Sequence, residues 1–92
     1  MNRIRKKKVE KVRDLAEKAS EIVLEALEIL TEAKDEEWDA LMAIPDNLEE
    51  SELYESIESA YDILDDNCAG LDNVNDFLYD ICDELETIID GG

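Results

Sequence analysis

The sequence predicts an all-α protein folded as one long antiparallel helical hairpin, on three observations. Helix-forming residues dominate, and three glycines and one proline leave few breaks in the 92 residues. Apolar side chains recur at steps of three and four through two segments of about 40 residues, as in amphipathic helices. Pro45, followed by the turn-forming pair Asp46-Asn47, separates the segments, because the residue before a proline avoids the helical conformation. We expect one domain, 1–92, with helix 1 over about 3–44, a turn over 45–50 and helix 2 over about 51–90.

Each predicted helix carries an apolar stripe, and we expect the two stripes to meet in the hairpin. The helix 1 stripe is Val12, Leu15, Ala19, Ile22, Ala26, Ile29, Ala33, Ala40 and Ile44, widened by a second row of Val23, Leu27, Leu30 and Leu41. The helix 2 stripe is Leu53, Ile57, Ala60, Leu64, Cys68, Leu71, Val74, Leu78, Ile81, Leu85 and Ile88, flanked by Tyr61, Phe77, Cys82 and Ile89. Because a two-helix hairpin cannot bury stripes this wide, we expect either a homodimer forming a four-helix bundle or a partner that supplies the missing surface.

Local signals mark the start of helix 2 and one weak point within it. Ser51 is a candidate N-cap, with Glu52 and Glu55 placed to favour the positive end of the helix. Gly70 costs about 1 kcal/mol in a helix interior, and Asp72 could cap a new helix after it. A three-helix bundle with a break near Gly70 is therefore the alternative fold. We favour a continuous helix because the apolar stripe crosses Gly70 without a change of phase.

The net charge of -18 is the strongest compositional signal. Residues 1–13 hold seven of the nine basic residues, and residues 14–92 hold all but one of the 27 acids. In an antiparallel hairpin the basic start of helix 1 lies beside the acidic end of helix 2, where Asp80, Asp83, Glu84, Glu86 and Asp90 are found. We expect these opposite charges to pair within the chain; the alternative is contact of the basic cluster with nucleic acid or a membrane surface.

The residues needed for most catalytic and cofactor sites are missing from the sequence. It has no histidine, which excludes the usual acid–base and nucleophile–base pairs, and it has no glycine-rich phosphate loop. The carboxylates near Asp62 and Asp72 do not have the spacing of a calcium-binding loop. We therefore expect no enzyme activity and no cofactor or metal.

The two cysteines and the chain start bear on the cellular compartment. Cys68 and Cys82 are about 21 Å apart on one helix, too far for an internal disulfide, so we expect reduced core thiols; an intermolecular bridge is the alternative. No apolar segment follows the charged first residues, and no apolar run is long enough for a membrane span. We expect a cytoplasmic protein with no membrane contact.

Rows of acids at helical spacing predict a binding surface. Neighbours in a row lie about 5–6 Å apart, and few lysines are interleaved to relieve the repulsion. About one acid per 2.3 Å of a 60 Å rod approaches the charge density of duplex DNA, about one per 1.7 Å. We expect the acids to bind a basic protein, with no direct contact to nucleic acid. Trp38 and Tyr54, on either side of the turn, are candidate anchors, although they could instead close the hairpin together with Tyr61. The candidate partner-binding residues are Trp38, Tyr54, Glu55, Glu58, Asp62, Asp65, Asp66, Asp72, Asp76 and Asp80.

The turn region resembles small acidic helical proteins encoded by phages and prophages of Firmicutes. The resemblance covers residues 35 to about 66: an acidic-aromatic run around Trp38, then 44–48 (IPDNL), 51–55 (SELYE), and a helix rich in Ala, Asp and Leu. Leu53 stands where these proteins usually carry arginine, so any role of that arginine does not carry over. The resemblance implies an anti-CRISPR or other anti-defence inhibitor, a group that includes nucleic-acid mimics, and a site of action in the host cytosol.

Two functional hypotheses follow from these patterns. The first is a phage-type inhibitor that occupies the nucleic-acid site of a basic protein, such as a CRISPR effector nuclease, by mimicking the phosphate backbone. The alternative is a structural coiled-coil adaptor or oligomerisation protein, whose acids only keep it soluble.

Overall fold

The computed structural model describes residues 1–48 and 51–91, which form two helices of equal length. Helix α1 spans Arg3–Met42, a short 3₁₀ helix spans Asp46–Leu48, and helix α2 spans Glu52–Gly91. The helices pack side by side over their whole length, and the molecule measures 69 × 15 × 15 Å. The predicted helical hairpin is confirmed. Positions 49 and 50 of the predicted turn lie outside the described residues.

Side-chain and backbone hydrogen bonds define the helix ends. The Asn2 side chain accepts a hydrogen bond of 2.9 Å from the backbone N–H of Arg5 and caps the start of α1. Helix α1 ends two residues before the predicted Ile44, because the proline at position 45 disfavours a helical conformation there. At the start of α2, the backbone N–H of Tyr54 donates to Ser51 Oγ at 3.2 Å, which confirms Ser51 as the N-cap.

Helix α2 passes through Gly70 without interruption. The three-helix alternative with a break near Gly70 is therefore wrong. A Cβ atom at position 70 would meet no atom within 4 Å, so no close packing there requires glycine. The continuous phase of the apolar stripe predicted this outcome correctly.

The contact between α1 and α2, which we call the seam, follows a strict seven-residue repeat lettered a to g. The a and d positions, all buried or half-buried, are Lys6, Val9, Arg13, Ala16, Ser20, Val23, Leu27, Leu30, Lys34, Glu37 and Leu41 of α1, and Tyr54, Ile57, Tyr61, Leu64, Cys68, Leu71, Asn75, Leu78, Cys82, Leu85 and Ile89 of α2. Steps that alternate between three and four residues keep such a seam facing its partner.

Polar contacts fix the antiparallel register of the seam. The hydroxyl of Ser20 donates to Oδ1 of Asn75, and both residues are only 5% exposed. Nearer the open end of the hairpin, the Cys82 thiol donates to the backbone carbonyl of Arg13, with 3.8 Å between sulfur and oxygen. Because paired polar groups are costly to separate in a buried site, the Ser20–Asn75 layer specifies which residues face each other.

The apolar stripe that was predicted to form the main contact surface of helix 1 lies mostly outside the seam. Its large members Val12, Leu15, Ile22 and Ile29 are exposed, and the second row, Val23, Leu27, Leu30 and Leu41, packs against α2 instead. The predicted α2 stripe is likewise divided between the seam and an outer row, while the flanking Tyr61, Cys82 and Ile89 belong to the seam. The prediction was wrong because both rows of α1 repeat at steps of three and four residues. This period alone does not show which row packs against α2.

Candidate functional site

The hairpin has two broad faces of opposite character. A groove of about 340 Å³ is lined by e and b positions of both helices, Glu17, Glu21, Leu24, Tyr79, Asp83 and Glu86, together with Ser20 and Cys82 of the seam. The e positions of α1 and α2 therefore flank the same side of the seam, and helical geometry places the g and c positions on the opposite side. The f positions form the outer edges.

The face built from e and b positions, which we call the acidic face, carries most of the carboxylates. Its acids are Glu10, Asp14, Glu17, Glu21, Glu28 and Asp35 of α1, and Glu55, Glu58, Asp62, Asp65, Asp72, Asp76, Asp83, Glu86 and Asp90 of α2. In contrast, no acid occupies a g position of either helix. The acids are therefore concentrated on one side of the rod rather than spread around it.

Most of the predicted partner-binding residues share this face. Glu55, Asp62 and Asp76 occupy b positions, Glu58, Asp65 and Asp72 occupy e positions, and all six are exposed. The structure places Asp66 and Asp80 at f positions, on the outer edge of α2. The predicted α2 acids are therefore divided between the acidic face and that edge.

The two aromatic candidates have different surroundings. Trp38, at an e position, packs on Tyr61 with ring centroids 5.2 Å apart and an interplanar angle of 50°, yet it remains 45% exposed. Tyr54 is half-buried at an a position of the seam. Of the two, Trp38 offers the larger exposed ring surface on the acidic face.

The groove on the acidic face joins residues of α1 and α2 that the sequence analysis did not bring together. Glu17, Glu21, Asp83 and Glu86 place four carboxylates around it, and Leu24 and Tyr79 contribute apolar surface. An arginine or lysine side chain combines an apolar stem with a charged head, so this groove has the chemistry to accept one. In the sequence, the acids and apolar residues of the groove are related only by their e and b positions in the seven-residue repeat. Those positions can be assigned only after the seam is known.

Two ion pairs form among residues 1–48 and 51–91. Arg13 pairs with Asp14 at 3.0 Å on the same helix, and Lys34 pairs with Asp65 at 3.6 Å across the seam. The expected direct pairing of the basic N-terminal cluster with the α2 acids from Asp80 to Asp90 is therefore not formed among these residues. Lys7, Lys8 and Lys11 occupy b, c and f positions, which point away from α2. The other four basic residues lie at or beside the seam, where Arg13 pairs with Asp14 of its own helix instead.

Neighbouring charges nevertheless act on Arg13. Its hydrogen bond to Asp14 raises the pKa of the Arg13 guanidinium; desolvation opposes this effect, and the charges of Asp14, Glu17 and Glu86 add to it. Glu86 is a residue of α2, so an acid of the second helix contributes to this shift across the seam.

Both cysteines are free and buried, as predicted. The Cys68 sulfur lies 3.8 Å from Oγ1 of Thr31. Burial raises the pKa of the Cys82 thiol, and the charges of Glu17, Glu86 and Asp83 raise it further, while Arg13 lowers it. A thiol that stays protonated is a poor nucleophile, so Cys82 acts as a core side chain.

Metal-binding clusters and membrane-spanning helices are both absent from the described part of the chain. It contains no cluster of three or more Asp, Glu, Cys or His side chains that could hold a metal ion. It also contains no helix whose length and apolar character would allow it to cross a membrane. No family model, curated protein or solved structure matches the chain.

Proposed function

We propose that this chain is an acidic binding protein whose acidic face occupies the nucleic-acid-binding surface of a basic protein. The observation that carries the proposal is the concentration of carboxylates on one side of the rod, where most of them have no cationic partner. Among the described carboxylates, only those of Asp14 and Asp65 lie within 4.0 Å of a basic group. A surface of this kind attracts a cationic partner and steers its approach.

The density of charge along the rod suits a nucleic-acid site. The acidic face holds 15 of the 27 acids, which gives about one per 4.6 Å of the 69 Å length. Duplex DNA carries about one charge per 1.7 Å of axis, and each of its strands about one per 3.4 Å. A channel whose lysines and arginines contact the phosphates of one strand therefore meets carboxylates at a comparable spacing along this face.

The groove adds a more specific contact to this long-range attraction. The carboxylates around it accept hydrogen bonds from an arginine or lysine, and Leu24 and Tyr79 pack against its stem. Trp38 lies on the same face and supplies an exposed ring, of the kind that is enriched at interface hot spots. The resemblance to small phage proteins favours a bacterial defence enzyme as the partner, and an RNA-guided nuclease is the first one to test.

The test is competition, with matched variants. The chain is used to capture proteins from a bacterial lysate, and each captured protein is purified and titrated with duplex DNA in the presence of the chain. We expect DNA and the chain to compete, and we expect binding to weaken steeply between 50 and 500 mM salt. A captured protein that binds DNA and the chain simultaneously would contradict the proposal.

Charge reversal then locates the contact. The test variant carries lysine in place of the central α2 acids Asp62, Asp65, Asp72 and Asp76. The control variant carries lysine in place of Glu32, Asp39, Asp46 and Glu52, which lie toward the turn end of the rod and outside the acidic face, so its net charge is identical. We expect the central variant to lose binding and the end variant to retain most of it. Equal losses in both variants would show that only net charge matters, and would refute a defined acidic face.

The coiled-coil adaptor remains the second candidate function, and one observation favours it. The face opposite the acids is apolar along most of the hairpin, which is a property of chains that assemble through helix packing. An adaptor needs this surface and not the acids. The end and central charge variants should then bind their partner equally well, which distinguishes the two candidates.

A further inference from the structure

The face built from g and c positions, which we call the apolar face, is uncovered in the single chain. Its apolar side chains are Val12, Leu15, Ala19, Ile22, Ala26, Ile29, Ala33 and Ala40 of α1, and Leu53, Ala60, Ile63, Val74, Phe77, Ile81 and Ile88 of α2. Of the seventeen large apolar side chains exposed in the described residues, ten belong to this set. Exposed apolar surface this extensive marks an interaction site.

We propose that a second copy of this chain covers the apolar face, with the two rods antiparallel, to form a four-helix bundle. The absence of acids at the g positions favours this occupant. Any basic partner would be better matched by the opposite face, whereas a copy with net charge -18 can pack closely only where its acids are few. The described g and c positions carry two acids, Glu36 and Glu84. The dimer thus buries the side on which two like-charged chains repel each other least at contact distance.

The pattern along α1 determines the orientation. Its c positions read Lys8, Leu15, Ile22, Ile29 and Glu36, and this series is complementary to itself when reversed about Ile22. In an antiparallel arrangement with the twofold axis at Ile22, Lys8 faces Glu36 of the second copy and Leu15 faces its Ile29. The basic N-terminal cluster then lies against the acidic turn end of the other copy. A dimer with parallel rods would instead bring the two acidic turn ends together.

The size of the face is sufficient for a stable dimer. Helices of 40 residues are about 60 Å long, and two of them side by side give a strip about 15 Å wide. Such a strip covers about 900 Å² per copy, against about 800 Å² per partner in stable complexes. The alanines at g positions of α1 let the second layer approach closely between ridges formed by Leu15, Ile22 and Ile29.

Sedimentation equilibrium of the full chain tests this proposal with a matched pair of isoleucines. We expect a mass twice the chain's 10.5 kDa at micromolar concentration. Ile22→Glu introduces two carboxylates at the twofold axis and should raise the dimer dissociation constant by about 100-fold or more. Ile4→Glu makes the same change at an f position that is similarly exposed, 70% against 66%, and should leave the dimer intact.

A charge exchange tests the orientation. Lys8→Glu alone and Glu36→Lys alone should each weaken the dimer about three- to tenfold, because each leaves two like-charged pairs in contact. The chain with both substitutions should regain the original dissociation constant. Circular dichroism checks that each variant remains helical. A monomeric mass for the unmodified chain at 100 µM, or an unchanged dissociation constant for Ile22→Glu, would overturn the dimer. Failure of the double variant to recover would overturn the antiparallel orientation.

Discussion

The buried polar layer of the seam offers a direct test of what holds the hairpin in register. Ser20 and Asn75 are each 5% exposed, and the hydroxyl of Ser20 donates to the side-chain oxygen of Asn75. Ser20→Ala removes the donor and leaves that oxygen buried without it. Loss of one partner of a buried hydrogen bond costs about 1–3 kcal/mol. For a chain of this length, each kcal/mol lowers the melting temperature by about 4–8 °C.

Urea unfolding followed by circular dichroism at a fixed chain concentration measures this cost. The control is Ser59→Ala, since Ser59 is exposed at an f position of α2 and its loss should change the free energy of unfolding by about 0.5 kcal/mol at most. The double variant Ser20→Ala/Asn75→Leu should recover most of the lost stability, because no polar group is then left unpaired. If Ser20→Ala unfolds at the same urea concentration as the Ser59→Ala control, the polar layer does not hold the register.

Two further predictions concern α2. Gly70→Ala should stabilise the chain by about 0.5–1 kcal/mol in thermal unfolding, because glycine weakens a helix interior and a Cβ at position 70 meets open space. The control is Gly91→Ala at the end of the same helix, which should have little effect. A lower melting temperature for Gly70→Ala would contradict the reasoning. Because the pKa of the Cys82 thiol is raised, the folded state holds its proton to higher pH than the unfolded state does, so the free energy of unfolding should fall as the pH rises above the ordinary thiol value of 9.0. Urea unfolding from pH 7 to 10 measures this slope, and Cys82→Ala should reduce it; an identical slope in both chains would show that the thiol does not contribute.

The sequence predicted the elements of this fold because strong local signals define them. Ser51 and Pro45 act on their neighbours in the chain, so the two helix ends beside the turn could be located to within about two residues. Continuity through Gly70 followed from the phase of the apolar stripe. None of these inferences requires knowledge of which surfaces meet.

The packing could not be predicted in the same way. Ile22 and Val23 are neighbours in sequence with similar side chains, yet Ile22 is exposed and Val23 packs in the seam. Both belong to rows with the same period, and the choice between the rows depends on long-range pairing of α1 with α2. For the same reason the buried Ser20 and Asn75 gave no signal, since either residue is more commonly found on a surface.

The candidate site likewise has one property that the sequence predicted, its charge, and one that it did not predict, its shape. The acids were recognised as a binding surface from their number and spacing, but the groove requires Glu17 and Glu86 from different helices. Their proximity depends on the antiparallel register, which the contact of Cys82 with the carbonyl of Arg13 and the Ser20–Asn75 hydrogen bond fix in the structure. A sequence pattern within one helix therefore identified the charge of the site but not its shape.

The two proposals are independent, and together they account for the unequal distribution of charge around the rod. A chain of net charge -18 opposes its own association unless one side is kept free of acids, and the g positions of both helices meet that condition. In an antiparallel bundle the apolar faces turn inward, so each acidic face turns outward on opposite sides of the assembly. Such a dimer presents two equivalent acidic surfaces and would bind two copies of a basic partner. Because the apolar faces are already paired, neither binding event requires the hairpins to separate.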